Sequence, residues 1–209
     1  MPTSDSHQPR RTARQRNPGY CRHGALLALK RPHAFTLVEM LVGVALAAIL
    51  LGLAVPDFRA TLERHAVRAA AADLLAALHL ARSQAIGRGE IVAVAPLDAA
   101  GADWRQGWLV FADRDGDGRP GAADEVLFRR AAPAAGMRIW SGLTLAAPPF
   151  YVAYNSAGRT CRTDNALAAN WGTLSLQSGS ARRNIKINML GRARLCDPAT
   201  ESGCTAAGE

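Results

Sequence analysis

The chain has 209 residues, 49% of them hydrophobic and 20% charged, which excludes a disordered, highly charged protein and supports one folded domain with appendages. The formal net charge of +8 suggests an acidic partner, but this charge is unevenly distributed. Residues 1–34 carry seven positive charges and one negative, residues 35–125 carry eight and twelve, and residues 126–209 carry ten and four. Beyond the first segment, basic character is therefore concentrated in the C-terminal part.

The first two segments predict a basic leader followed by a membrane helix. Residues 1–34 are polar and rich in arginine, whereas residues 35–55 form an apolar run of 21 residues with one charge, Glu39. A helix of ~20 apolar residues spans a bilayer core of ~30 Å. Positive charge before the run predicts that this side stays in the cytoplasm and that the remainder is exported. From its position alone, Glu39 is interpreted as a residue at the membrane–water interface, in a helix that only anchors the protein in the membrane.

A second helical stretch is predicted over residues 56–89. Pro56 is expected to end or kink the apolar helix because proline lacks a backbone donor. Beyond it, apolar residues recur at roughly helical spacing, at Leu62, Ala66, Ala69, Leu74, Leu78 and Ala85. Glycine at positions 87 and 89 predicts the end of this helix.

Short strands with turn residues between them are predicted over residues 90–209. The strand candidates are residues 91–95, 107–111, 125–129, 137–141, 150–154, 172–177 and 184–190. One long N-terminal helix followed by these strands predicts an α+β fold, with the helix packed on an antiparallel β-sheet or sandwich.

An aspartate-rich turn lies between the second and third candidate strands. Asp113, Asp115, Asp117 and Asp124 occupy the first, third, fifth and twelfth places of a pattern that partly matches a calcium loop. The twelfth ligand of such a loop is normally a glutamate, and a helix normally precedes the loop. We therefore interpret the stretch as a polar hairpin tip and predict no metal site.

The cysteines indicate a disulfide in the exported part. Cys21 precedes the apolar run, three cysteines follow it, and no spacing indicates zinc. A bond between Cys161 and Cys196 would tie distant segments, whereas a bond between Cys196 and Cys204 would close a short loop. We favour the first pairing, although the sequence leaves both open.

No catalytic set is found in the sequence. His65 and His79 lie on the predicted helix at a spacing that does not suit a metal, and no later histidine exists. The cysteines of the predicted β domain lack a partner base. We therefore expect a protein that is not an enzyme and has no cofactor, and a membrane-anchored enzyme with an unrecognised site is the rival interpretation.

The stretch "AFTLVEMLVGVALAAILLGLAVPDF" closely resembles the class III signal and N-terminal helix of type IV pilins and pseudopilins. The resemblance implies that a prepilin peptidase cuts between Ala34 and Phe35 and methylates the new amine of Phe35, so that the apolar helix is retained. It also implies that Glu39 pairs with the N-terminal amine of a neighbouring subunit. The family usually has glycine at the position of Ala34.

The second resemblance is to the FimT/GspH branch of minor pseudopilins, carried by "WRQGWLVFADRDGDGRPGAADEVLFR". Together the two resemblances imply a single-pass protein of the bacterial inner membrane with a periplasmic C-terminal domain. Its partners would be the prepilin peptidase and other pilins or pseudopilins, and it would assemble through residues 35–55 into or beneath a fibre that crosses the periplasm.

The stretch "SARRNIKINMLGRARLC" gives the sharpest indication of a further partner. In a strand, Lys186 would face away from the core, and Arg192 and Arg194 would share its parity if the strand continues. Such a ridge of cations suits phosphate backbones, although charges that prevent edge pairing are an alternative.

"GRAR" also resembles the Gly-Arg-x-Arg motif of FimT-type minor pilins that bind DNA. The predicted contacts with double-stranded DNA are Arg182, Arg183, Lys186, Gly191, Arg192 and Arg194. The alternative is a type II secretion pseudopilin that binds partner pseudopilins or cargo and not DNA.

Overall fold

The computed structural model describes residues 35–208, and the side chains of all of these except residues 53–57. It divides into two compact units, Met1–Val44 and Ala45–Glu209. The leader over residues 1–34, with Cys21 and the Ala34 side of the expected cleavage site, lies outside the described residues.

The helix begins at a threonine cap and ends at a glycine. Helix α1 spans Leu37–Arg88, 52 residues, so it continues through Pro56, as one long N-terminal helix requires, and does not end there. At its start, the Thr36 hydroxyl oxygen accepts a hydrogen bond from the Glu39 backbone N–H at 3.2 Å. At its end, Gly89 adopts a φ of 73° and donates its N–H to the Ala85 carbonyl, 3.0 Å away.

The first turns of α1 expose apolar side chains to solvent. Phe35 is 71% exposed and Leu37 is 76% exposed, and large apolar residues stay exposed as far as Leu51. Among the described residues, none of the helical segments combines the length and the mean hydropathy needed to cross a bilayer.

Nine strands follow α1 and form two antiparallel sheets. The strands are β1 (Val92–Pro96), β2 (Gly107–Ala112), β3 (Glu125–Ala131), β4 (Arg138–Leu143), β5 (Val152–Tyr154), β6 (Thr160–Cys161), β7 (Gly172–Ser178), β8 (Ala181–Ile187) and β9 (Ala193–Cys196). The five-stranded sheet has the order β3-β2-β1-β5-β6, and the four-stranded sheet has the order β4-β7-β8-β9. The predicted α+β fold is therefore confirmed.

One apolar core joins the second part of α1 to both sheets. The helix contributes Val67, Ala70, Ala71, Leu74, Ala77, Leu78, Ala81 and Ala85. The five-stranded sheet contributes residues such as Val94 and Trp108, and the four-stranded sheet contributes Leu174 and Ile185. The predicted helix face was partly wrong, since Leu62 is 52% exposed.

The disulfide joins Cys196 to Cys204, so the predicted pairing of Cys161 with Cys196 is wrong. Cys161 lies on β6 in a smaller apolar cluster with residues such as Ala93 and Phe111, on the face of the five-stranded sheet that points away from the main core. Cys196 ends β9 in the other sheet. Burial raises the pKa of the Cys161 thiol to about 11, so this thiol stays protonated at neutral pH.

Candidate nucleic-acid interface

The basic C-terminal stretch forms a hairpin and not one continuous strand. Strand β8 ends at Ile187, and β9 begins at Ala193. In the turn between them, the Asn188 side-chain oxygen accepts hydrogen bonds from the backbone N–H groups of Leu190 and Arg192, at 3.1 and 2.9 Å. An asparagine that bonds its own downstream backbone is a common turn former, so Asn188 reverses the chain here.

Gly191 is in this turn for steric reasons. Its φ is 79°, and a Cβ atom added to it would collide with the carbonyl oxygen of Gly158. The turn is held by α1, because the Arg82 guanidinium donates to the carbonyl oxygens of Gly158 and Leu190 at 2.8 and 3.3 Å. The glycine of the "GRAR" motif thus allows the tight turn that positions Arg192 and Arg194, and Gly191 itself is buried.

The hairpin places Lys186 directly opposite Arg194. These residues are register partners across β8 and β9, and Thr173 of β7 is the partner of Lys186 on its other side. Because Ile185 and Ile187 point into the core, Lys186 and Arg194 lie on the outer face of the four-stranded sheet. Like charges directly opposite each other cost about 0.2–1 kcal/mol.

An open groove of about 550 Å³ lies at this end of the outer face. Two rows of side chains line it. One row is Thr173, Lys186 and Arg194, and the next is Trp171, Asn188 and Arg192. The structure therefore brings together three of the predicted cations, and it adds Trp171, which is not one of the predicted contacts.

The three cations of the groove differ in their partners. Arg194 forms an ion pair with Glu201 at 2.7 Å, and the Lys186 ammonium donates to the Thr205 hydroxyl at 2.8 Å. Arg192 is exposed, and within the described part of the chain its guanidinium has no hydrogen bond or ion pair. The hydrogen bond from Arg194 holds the pKa of Glu201 below its ordinary value, so that carboxylate is ionised at neutral pH.

Arg182 and Arg183 lie at the other end of β8, away from this groove. Arg183 pairs with Asp197 at 2.8 Å, and both side chains are largely buried. The Arg182 guanidinium lies 5.6 Å from the centre of the Trp140 ring, within cation–π range. Both arginines line a second groove together with Arg64 and Arg68 of α1. The six predicted contact residues therefore do not form one patch.

The C-terminal segment covers the middle of the outer face. The Ala207 N–H donates to the Ser175 hydroxyl at 2.8 Å, and the Ala207 carbonyl accepts from the Trp140 indole at 3.0 Å. The side chain of Asn184 donates to the Cys204 carbonyl at 3.0 Å. The disulfide between Cys196 and Cys204 joins this segment to β9.

The aspartate-rich loop joins β2 to β3, as the hairpin interpretation predicts. The carboxylate oxygens of Asp113, Asp115, Asp117 and Asp124 lie within 4.8 Å of one another. Asp113 accepts from the N–H groups of Gly116 and Gly118 at 2.7 and 2.9 Å, and Asp124 accepts from those of Arg114 and Gly121 at 2.9 and 2.7 Å. These two carboxylates thus hold the loop backbone in place.

Two family models match the sequence. The model described as type II transport protein GspH matches residues 70–191, and the model described as prokaryotic N-terminal methylation motif matches residues 29–55. No curated protein matches the chain. Arg192 and Arg194 lie just beyond the GspH match.

Solved structures of similar fold include two minor pilin-type proteins. The type IV minor pilin FimU of Pseudomonas aeruginosa is 21% identical over 68% of this chain and 98% of its own, with a TM-score of 0.51. The minor pseudopilin EpsH from the type 2 secretion system of Vibrio cholerae is 17% identical over 63% of this chain and 97% of its own, with a TM-score of 0.44. At its identity, the likeness to FimU shows a shared fold.

The GspH match covers more than half of the 209 residues, and it includes the second part of α1 and the strands as far as β8. The methylation-motif match covers the apolar start of the helix. The chain therefore belongs to the GspH family and is a GspH/FimT-like pilin.

Proposed function

We propose that this protein is a minor pilin of a type IV pilus system and acts as a structural subunit, not as an enzyme. A prepilin peptidase cuts between Ala34 and Phe35 and methylates Phe35. The helix over residues 35–55 then holds the protein in the inner membrane, with residues 90–209 in the periplasm, until it assembles with other pilins through Glu39. The exposed apolar side chains from Phe35 to Leu51 support this proposal, because such a surface needs lipid or neighbouring helices.

The same protein binds DNA through the groove that contains Lys186, Arg192 and Arg194. The observation that carries this proposal is the placement of three cations around one open groove, with Lys186 and Arg194 opposite each other despite their repulsion. Among the described residues, Glu201 is the carboxylate within ion-pair distance of these cations. A cationic groove with so little compensating charge suits phosphate groups, which arginine binds with paired donors.

The test is duplex DNA binding by a double variant, Arg192→Gln with Arg194→Gln. The whole chain is used in non-ionic detergent, on a background in which the leader arginines at positions 10, 11, 14 and 16 are glutamine. We expect affinity to fall about tenfold at about 100 mM salt, and the slope of log affinity against log salt to fall by about two.

The matched control removes the same charge elsewhere. Arg59 of α1 and Arg129 of β3 are exposed and lie outside the groove. The variant with Arg59→Gln and Arg129→Gln should bind duplex DNA nearly as well as the unsubstituted chain. Equal losses in both double variants would show that net charge, and not the groove, holds the DNA.

A type II secretion pseudopilin is the second candidate function, and the description of the matching family favours it. In that role the β domain would contact neighbouring pseudopilins or cargo. A surface that suits such contacts is the edge strand β3, where Val126 and Phe128 are 54% and 40% exposed. This candidate would be favoured if the protein does not bind duplex DNA through the groove and if its gene lies in an operon of secretion genes.

A further inference from the structure

Trp171 differs from the other tryptophans of the described chain. Trp104 and Trp108 are fully buried in the main core, and the Trp140 indole is hydrogen-bonded to the C-terminal segment. Trp171 is 44% exposed, and it lines the same groove as Arg192 and Arg194. An exposed indole leaves a large apolar surface in water, which is unfavourable. The exposure of Trp171 beside the cations of the groove therefore needs a physical explanation.

The backbone that carries Trp171 is fixed on both sides. Its carbonyl accepts from the Thr144 N–H at 2.9 Å, and its N–H donates to the Thr144 hydroxyl at 3.2 Å. That hydroxyl in turn donates to the side chain of Asn170, which is fully buried and donates to the Tyr151 carbonyl at 2.7 Å. Because the backbone at Trp171 is already held by hydrogen bonds, little backbone freedom is lost there when a ligand binds.

The glycine that follows Trp171 allows two backbones to approach closely. Gly172 has a φ of 152°, and a Cβ atom there would collide with the carbonyl oxygen of Gly142. The groove is lined by the Trp171 indole and by three cationic side chains, those of Arg192, Lys186 and Arg194. The indole suits a flat apolar ring, and the cations suit the phosphates on either side of that ring.

Duplex and single-stranded DNA differ in what they can offer to this groove. In a duplex, the base faces are stacked on one another and only the backbone and groove edges are available. In a single strand, each base face can stack on an aromatic side chain while the backbone follows a cationic surface. A duplex would thus use the cations and leave Trp171 unused.

We infer that the groove binds single-stranded DNA, with a base stacked on Trp171 and the adjacent phosphates on Arg192, Lys186 and Arg194. This inference rests on the proposed function, since it assigns the kind of DNA to the same site. It makes Trp171 the residue that distinguishes a single strand from a duplex. Strand ends and locally opened duplexes would also be bound in this way.

The experiment compares Trp171→Ala and Trp171→Phe with the unsubstituted whole chain, in detergent and on the same leader background. Three ligands are used, an oligo-dT of about 12 nucleotides, an abasic strand of equal length and a duplex of equal length, which is within the usual size of a single-strand site. We expect Trp171→Ala to weaken oligo-dT binding about tenfold and to change abasic-strand and duplex binding less than about twofold. Trp171→Phe should retain most of the oligo-dT affinity because its ring can still stack.

A second measurement reports the stacking directly. Oligo-dT should quench part of the indole fluorescence of the unsubstituted chain, whereas the abasic strand should not, and the Trp171→Phe variant should lose this quenching. The control is Leu167→Ala, which removes a 95% exposed apolar side chain from outside the groove and should leave every affinity unchanged.

The outcomes separate this inference from the proposed function. If the arginine double variant loses duplex binding but Trp171→Ala leaves oligo-dT binding unchanged, the inference is overturned and the proposed function stands. If Trp171→Ala weakens all three ligands equally, Trp171 only supports the groove, and the inference is again overturned. If the arginine double variant changes none of the three, the groove is not a DNA site and both proposals fail.

Discussion

At the scale of single residues, hydrogen-bond partners decide how much positive charge the groove can offer to a ligand. Arg194 is held by Glu201, and Lys186 is held by Thr205, whereas Arg192 has no such partner within the described chain. A phosphate that binds Arg194 has to compete with the Glu201 carboxylate. We therefore expect Arg192 to contribute more to DNA affinity than Arg194.

The Glu201→Gln variant should bind duplex DNA about two- to fivefold more tightly, because it removes the carboxylate that competes for Arg194. The pKa of Glu201 is lowered by its hydrogen bond with Arg194, so the ion pair stabilises the fold above the unfolded-state pKa and is lost as pH falls through the lower folded-state pKa. The advantage of the variant should disappear over that same acidic range. Affinity titrations at neutral and acidic pH measure both effects.

The control for this prediction is Asp164→Asn. Asp164 is also an exposed carboxylate paired with an arginine, Arg162, at 2.8 Å. It does not line the groove. An equal gain of affinity from Asp164→Asn would mean that Glu201 acts only through the net charge of the chain.

The Gly191→Ala variant tests whether the first residue of "GRAR" shapes the turn or contacts DNA. We expect a loss of stability of about 1–2 kcal/mol from the positive φ alone, and more from the contact with Gly158. Gly203→Ala is the matched control, since nothing lies within 4 Å of its added Cβ and its φ lies outside the left-handed region. Urea unfolding followed by tryptophan fluorescence measures both, and equal stability of the two variants would contradict the role given to Gly191.

At the scale of elements, the groove is lined by the start of β7 and by the β8–β9 hairpin, and the C-terminal segment contacts two of its cations. The hairpin places Arg194 beside Lys186, and the segment supplies Glu201 and Thr205 to these two cations. The disulfide holds the segment to β9 over a separation of eight residues. Strand β7 and the hairpin therefore set the shape of the groove, and the C-terminal segment modifies its charge.

Removing the disulfide with Cys196→Ser and Cys204→Ser should lower the free energy of unfolding by about 2–3 kcal/mol, the value expected for a loop of this length. The unsubstituted protein should fall to the same stability in reductant. The double variant serves as the control, since reductant should not change its stability. If reductant also lowers the free energy of unfolding of the double variant, part of the loss seen in the unsubstituted protein does not come from this disulfide.

At the scale of the whole molecule, the segment proposed for assembly and the groove proposed for DNA binding lie in different parts of the chain. A dense group of exposed large apolar residues lies between Phe35 and Leu51, in the unit Met1–Val44 and the start of the unit Ala45–Glu209. The buried core lies between Val67 and Ala207, and the cationic groove lies within the same stretch. Substitutions in one region should therefore leave the role of the other unchanged.

Two variants of Glu39 distinguish two roles, capping the start of α1 and pairing with the N-terminal amine of a neighbouring subunit. Thr36 and Glu39 are spaced as in a capping box, and the Thr36 hydroxyl does accept from the Glu39 N–H. Glutamine preserves such a box and removes the charge, whereas alanine removes both. If the charge pairs with a neighbouring N-terminal amine, Glu39→Gln and Glu39→Ala should both lower incorporation into the fibre while leaving cleavage intact.

The measurement is the ratio of protein in sheared fibres to protein in the membrane fraction. Normal incorporation of Glu39→Gln with loss in Glu39→Ala would assign the residue to the start of the helix and not to docking.

The sequence predicted the elements whose local pattern is strong. The apolar run, the alanine-rich stretch and Gly89 predicted the long helix, and runs such as residues 107–111 and 172–177 predicted strands β2 and β7. The sequence does not specify which face of the helix is buried, because alanine occurs on several of its faces. Packing against two sheets selects Ala70, Ala77 and Ala81 for the core and leaves Leu62 exposed.

What the sequence determined by itself was the N-terminal motif, the α+β order and the sign of the C-terminal charge, because each depends on residues close together in the chain. Only the tertiary structure decided the disulfide, the hairpin at Gly191 and the neighbours of each arginine. Cys161 and Cys196 belong to different sheets, and strand pairing in the four-stranded sheet brings Trp171 and Arg192 to the same groove. Such contacts depend on register and on which face a strand presents, and composition and spacing do not specify either.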